Sequence, residues 1–397
     1  MRQKSVKAPV AIKGNWHQMF SSANKKLAAV FLHIKDFAGR NAVMCIAFLA
    51  ASVTAIIVPP DSEYIEYFDF KTLSCLFCVL AVVCALKNIN FFYMLARKVV
   101  ELFKNARMCV LALVYITFIG SMLIANDMAL LTFLPLGYFV LSSTDKKKYM
   151  AFTFIMQNIA ANLGGMLTPF GNPQNLYLYS KFEIQNLEFM GIMAPPFVLS
   201  ILLITLFCIA FVKAEPLSLP GEKIKLNPGK TVLYLALFSL SIAIVFRGVP
   251  YLIGLAIIPA VLFFMDRKAL ASVDYGLLLT FVFFFVFSGN MSRIDAVREI
   301  FSSLLEKNTL LVSIASCQLI SNVPTAILLS QFTSNYQDLL VGVNIGGVGT
   351  LISSLASLIT FREYVKNNPG KTGYYLKLFT VFNFAFLTVL TVFMIIL

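Results

Sequence analysis

Charged side chains make up only 13% of this 397-residue sequence, and acids are the scarcer sign, 19 against 32 Lys and Arg. A soluble domain carries about a quarter charged residues, so an ordinary solvated surface is excluded. Histidine is scarcer still. His17 and His33 both precede residue 41, which removes a histidine ligand or general base from every apolar stretch downstream. Cysteine occurs seven times, yet Cys75-Leu-Phe-Cys78 has no second pair and no nearby histidine. Its spacing reads as small apolar residues in a helix rather than a zinc or redox site. No nucleophile–base pair and no phosphate-binding loop is evident, so neither an enzyme nor a cofactor is expected.

What the chain does hold is apolar length. The residues AVILMFWYC reach 59%, and mean hydropathy is +0.82. Runs such as 41–59, 189–212 and 378–397 are long enough to cross ~30 Å of hydrocarbon as helices. The expected fold class is an all-α polytopic membrane protein. The net charge of +13 does not point to nucleic acid, because Lys and Arg collect in alternate loops, as membrane topology demands. Residues 1–40 carry eight Lys and Arg against one acid, Asp36. They read as a cytoplasmic segment, either an interfacial amphipathic helix from Trp16 to Phe37 or a disordered tail. No cleavable signal peptide is apparent ahead of the first apolar run.

Two stretches recur. Ser121-Met-Leu-Ile-Ala-Asn126-Asp127 and Asn162-Leu-Gly-Gly165, with Thr168-Pro-Phe-Gly-Asn-Pro-Gln-Asn175, are echoed by Cys317-Gln-Leu-Ile-Ser-Asn322-Val-Pro and Asn344-Ile-Gly-Gly347-Val-Gly-Thr350. Each copy is an apolar segment broken at Ile-(Ala/Ser)-Asn, followed by one broken at Gly-Gly. Matched interruptions in two halves mark the binding site of a secondary transporter. Met108–Ser143 has basic residues at both ends, so its length fits two full spans or a re-entrant hairpin with Asn126-Asp127 at depth. The recurrence of Asn322 favours the hairpin.

In order, 41–106 is expected to be the scaffold part of repeat 1 and 107–213 its transport part, with a hairpin at 107–144 and a broken helix at 149–180. A basic linker, 214–230, follows. The scaffold part of repeat 2 is 231–307, including an extra crossing at 231–246; its transport part is 308–397, with a hairpin at 308–340 and a broken helix at 343–361. The extra crossing starts the second copy from the opposite side, so the repeats are inverted.

Helix starts exposed by such breaks offer unpaired N–H groups to an anion, while unwound carbonyls and amides offer oxygens to a cation. The candidates are Asn126, Asp127, Thr168, Gly171, Asn172, Gln174 and Asn175 from the first copy. The second copy contributes Ser321, Asn322, Thr325, Gly346, Gly347 and Thr350. A Na⁺ would sit near Asn126, Asp127, Gly171, Asn322 and Gly347. No Lys or Arg falls inside the segments as drawn, so the anion would be held by dipoles, hydroxyls and amides. Asp127 reads as a proton or cation carrier, or as a carboxylate capping the second hairpin arm. Gln157, Asn158 and Asn162 read as interhelical hydrogen-bond donors and acceptors.

The two Asn tips, Thr168-Pro-Phe-Gly-Asn-Pro-Gln-Asn175 and Ser321-Asn-Val-Pro324 resemble the ion transporter superfamily over roughly 41–397. It spans divalent-anion/sodium symporters, citrate transporters, arsenite permeases and related sodium/proton antiporters. The resemblance implies an elevator-type homodimer in a plasma (bacterial inner) membrane, with a small-molecule anion as substrate and Na⁺ or H⁺ as coupling ion. The dicarboxylate branch reads Ser-Asn-Thr at both tips. Here the tips read Ala125-Asn126-Asp127 and Ser321-Asn322-Val323, which lie closer to the arsenite-permease side. A cation antiporter using Asp127, and a channel built on the re-entrant loops, remain open on sequence.

Overall fold

The protein is described by a computed structural model covering residues 42–217 and 226–397. The N-terminal segment 1–40 and the middle of the 214–230 linker lie outside the described residues. The chain is helical, with an isolated bridge between Asn105 and Pro216 and no strand among the described residues. The helices are α1 (Ala42–Ile57), α2 (Phe70–Asn88), α3 (Phe91–Glu101), α4 (Ala106–Ile124), α5 (Asn126–Ser143), α6 (Met150–Gly164), α7 (Pro173–Lys181), α8 (Asn186–Phe211) and α9 (Pro228–Val245). They continue as α10 (Tyr251–Met265), α11 (Arg267–Ala271), α12 (Tyr275–Ser292), α13 (Asp295–Ile320), α14 (Asn322–Leu329), α15 (Tyr336–Ile345), α16 (Leu355–Asn367) and α17 (Thr372–Ile396). Six are long and apolar enough to cross a membrane. Ile46, Leu49, Val53 and Ile56 on α1 and Phe264 on α10 are exposed. Such stripes suit lipid, not water.

The same polar signals start equivalent helices in both halves. Asp69 accepts from Thr72 N and Asp274 from Leu277 N, each at 2.9 Å, at the starts of α2 and α12. Asn105 accepts from Met108 N at 2.9 Å and Asn308 from Leu311 N at 2.8 Å. Each satisfies an N–H the first helical turn leaves unpaired. Asn308 interrupts α13 with an extended backbone (φ −166°), so 295–307 lies across the start of the hairpin arm as α3 does in the first half. Contacts are reciprocal as well. α1 packs along α12 and α10 along α2, while α7 packs on α14 and α16 on α5.

One boundary moves. The return arm of the second hairpin is only eight residues long, ending at Leu329, and the next half-helix starts at Tyr336. The expected division between 340 and 343 therefore falls inside α15. The turn falls on the polar stretch Ser330-Gln-Phe-Thr-Ser-Asn335, where Asn335 caps α15 through Asp338 N at 3.3 Å.

Candidate functional site

Both hairpins turn in the same way. Ala125 (φ 66°, ψ 151°) and Ser321 (φ 74°, ψ 159°) join their arms in a region that is essentially glycine's alone. A non-glycine residue persists there only when its surroundings hold it. What holds each tip is the facing break. Asn126 N donates to Gly171 O at 3.1 Å and Asn322 N to Ser353 O at 3.0 Å. Thr168 Oγ1 donates to Met122 O at 2.8 Å and Thr350 Oγ1 to Gln318 O at 3.1 Å. In each copy the break grips the tip amide and the carbonyl one turn before it. Asn126 and Asn322 then fold back to accept from the next backbone N–H, Asp127 N and Val323 N, each at 2.9 Å.

Asparagines knit the two copies together at the centre. Asn126 Nδ2 reaches Asn162 Oδ1 (3.4 Å), and Asn172 Nδ2 donates to Asn162 O and to Asn344 Oδ1, both at 3.1 Å. Asn344 Nδ2 donates to Asn175 Oδ1 at 2.6 Å. Asn175 Nδ2 in turn spans the carbonyls of Gly165, Met166 and Thr168 at 3.2–3.4 Å. All are buried. The glycines allow this closeness: a Cβ on Gly165 would lie 2.4 Å from Asn172 Oδ1, and one on Gly347 would lie 3.0 Å from Asn322 Nδ2.

A cleft of about 90 Å³ opens in front of this frame, lined by Asn126, Asp127, Gln174, Ser321, Asn322 and Arg362, with Asp274 at the start of α12 also at its wall. The helices that begin at its wall include α5 at Asn126, α7 at Pro173, α14 at Asn322 and α16 at Leu355. At the opposite end of α12, Ser288 Oγ donates to Ile327 O of α14 at 2.8 Å.

Of the expected site residues, Asn126, Asp127, Gln174, Ser321 and Asn322 line the cleft. Thr168, Gly171, Asn172, Asn175, Gly346, Gly347 and Thr350 form the frame behind it, and Thr325 bonds within its own helix to Ser321 O at 2.7 Å. Asp127 is not the cap of α5 through its Oδ1: that atom is buried without a hydrogen-bond partner among the described residues. Buried Gln174 Oε1 and Asn172 Oδ1 share that condition.

One expectation needs correction. The walls do carry a cation, because α16 runs on to Asn367 and brings Arg362 to the cleft; the segment drawn to 361 stopped one residue short. Gln157, Asn158 and Asn162 join helices as expected: Gln157 Nε2 donates to Thr117 Oγ1 at 3.0 Å, Asn158 Nδ2 to Ser357 Oγ of α16 at 3.2 Å, and Asn162 Oδ1 accepts from Asn126 Nδ2. Sequence reasoning also passed over Ser353 and Asn344. Asn344 had a signal: Asn162-Leu-Gly-Gly and Asn344-Ile-Gly-Gly begin alike. Ser353 had none, because its counterpart Gly171 contributes only a backbone carbonyl.

A polytopic helical membrane protein with paired broken helices around one polar cleft is of the secondary-transporter class. More particularly, the chain belongs to the citrate transporter family, whose pattern its residues 29–337 match. It is 34% identical over 317 residues to an uncharacterized transporter of Methanocaldococcus jannaschii, covering 79% of this chain and 86% of the relative. It is also 29% identical over 303 residues to the inner membrane protein YbiR of Escherichia coli, covering 74% and 80%. A stretch of 209 residues is 25% identical to the human P protein, covering 50% of this chain and 24% of that protein.

Proposed function

We propose that the protein is an ion-coupled secondary active transporter of a small anion, a di- or tricarboxylate or an inorganic oxyanion, working by elevator-type alternating access. The observation that carries this reading is the convergence of the starts of α5, α7, α14 and α16 on one cleft. Each start turns the positive end of a helix dipole toward it, and Arg362 adds a full charge at the same wall. Together they favour an anion without burying an unpaired lysine.

The coupling ion belongs on the first copy. Asp127 Oδ1, Gln174 Oε1 and Asn172 Oδ1 are buried acceptors with no donor among the described residues; a Na⁺ would satisfy such oxygens, and a proton would satisfy Asp127. The family's name and these dipoles support a carboxylate first. A second reading, arsenite efflux or Na⁺/H⁺ exchange with Asp127 as carrier, is supported by the same unpartnered oxygen. Reciprocal packing of the two halves supports inverted repeats, with α4–α7 and α13–α16 moving against α1, α2, α10 and α12. The N-terminus is taken as cytoplasmic and the assembly as a homodimer.

Thermal stability of the purified protein tests this, crossing Na⁺ against K⁺ at two pH values with citrate, succinate, sulfate and arsenite. A ligand of the folded state at a hundredfold excess over its Kd stabilises by about 2.7 kcal/mol. A carboxylate that stabilises only with Na⁺ identifies a sodium-coupled carboxylate carrier. Stabilisation that follows pH and ignores Na⁺ favours the proton reading. In proteoliposomes, Asp127→Asn should lose the cation or pH dependence of uptake while anion-induced stabilisation persists; unchanged transport would remove Asp127 from coupling.

A further inference from the structure

Away from the cleft, a groove of about 580 Å³ runs along one face of α4, through Met108, Leu111, Tyr115, Ile119 and Leu123. Its other walls are the end of α2 (Leu86), α3 (Phe91, Phe92, Leu95), Phe133 of α5, and Leu235 and Phe238 of α9. From Met108 to Leu123 it is about 22 Å long at 1.5 Å per residue, more than the ~15 Å depth of one leaflet's hydrocarbon. Leu95, Met108, Ile119 and Leu123 are exposed within it, so the groove opens toward the lipid-facing surface. One end is basic. Lys87 closes α2, Lys98 closes α3, and Lys104 and Arg107 flank the start of α4. Lys98 and Lys104 are exposed.

We infer that this groove is a binding site for an anionic phospholipid, with an acyl chain along α4 and its phosphate at the Lys98–Lys104 end. Charge complementarity selects this occupant over a neutral lipid, because each Lys near a headgroup plane attracts an anionic lipid. The apolar walls hold the chain by burial. α4 is the arm that ends at the Ala125–Asn126 tip, whereas α2 and α9 pack against each other. The lipid therefore wedges between the first hairpin and its neighbours.

The test is native mass spectrometry and thermal stability of the full chain with phosphatidylglycerol, phosphatidylcholine of the same chains, or glycerol phosphate. Phosphatidylglycerol should be retained preferentially and raise Tm, and glycerol phosphate should do neither. Lys98→Gln and Lys104→Gln should each cost about fivefold in that preference, and the preference should shrink in high salt. Ile119→Trp, an exposed position, should abolish retention without lowering Tm of the lipid-free protein. Equal retention of both lipids, or retention unchanged by Ile119→Trp, overturns the site and leaves ordinary annular lipid. Stabilisation by glycerol phosphate alone overturns the role of the groove.

Discussion

At the scale of single residues, the site depends on close approach and on one late-arriving charge. Gly164 lies so near α4 that a Cβ would sit 2.2 Å from Phe118 O. A backbone carbonyl cannot rotate aside, so Gly164→Ala should cost ~1–3 kcal/mol, read as a lower Tm of the ligand-free protein. Gly347, whose nearest neighbour is the Asn322 amide at 3.0 Å, should tolerate alanine in stability and show the change in ligand affinity. Arg362 is a different kind of residue, exposed and at the cleft wall. Arg362→Gln should weaken anion affinity by about tenfold, the scale of a hydrogen bond to a charged group. Equal affinity in wild type and variant would detach Arg362 from the substrate.

At the scale of elements, the strap after α8 shows how a linker fixes the base of the first hairpin. Glu215 O accepts from Ala106 N at 2.8 Å, and Leu217 N donates to Lys104 O at 2.9 Å. The Glu215 carboxylate accepts from Lys146, Lys148 and the Tyr149 hydroxyl. Lys146 and then Lys148 hold its pKa down to about 2, from an ordinary 4.5. A depressed carboxylate stabilises the fold above its unfolded pKa and loses that contribution as pH falls through the folded value. Glu215→Gln should therefore lower Tm at neutral pH, with the gap to wild type closing between pH 4.5 and about 2. A gap independent of pH would assign the loss to packing. These bonds were not legible in sequence, since Glu215 and Lys146 are 69 residues apart.

At the scale of the whole molecule, the cleft lies at one end of α12 while Ser288 bonds Ile327 O of α14 at the other. An elevator must break that contact. Joining Ser288→Cys to Ile327→Cys with a thiol crosslinker, in a background without the native cysteines, should arrest uptake and leave ligand-induced stabilisation intact. Uptake that survives full crosslinking would retire the elevator. The halves were legible because membrane helices advertise themselves by hydrophobic length and their breaks by Pro, Gly and Asn. The end of the second hairpin at Leu329 was not, because an arm of only eight residues is too short to stand out as a separate element by hydrophobic length.

By itself the sequence determined a helical membrane protein with two matched breaks per half, and it named both tip asparagines. Those facts follow from local chemistry: apolar length for the spans, and backbone that cannot continue a helix at the breaks. Only the tertiary structure decided which candidates face the cleft and which stand behind it. It also brought Arg362 and Asp274 to the wall and joined Asn162, Asn172, Asn344 and Asn175 across 182 residues of chain. Burial and hydrogen-bond pairing are properties of what folds against a residue, and residues distant in sequence supply them.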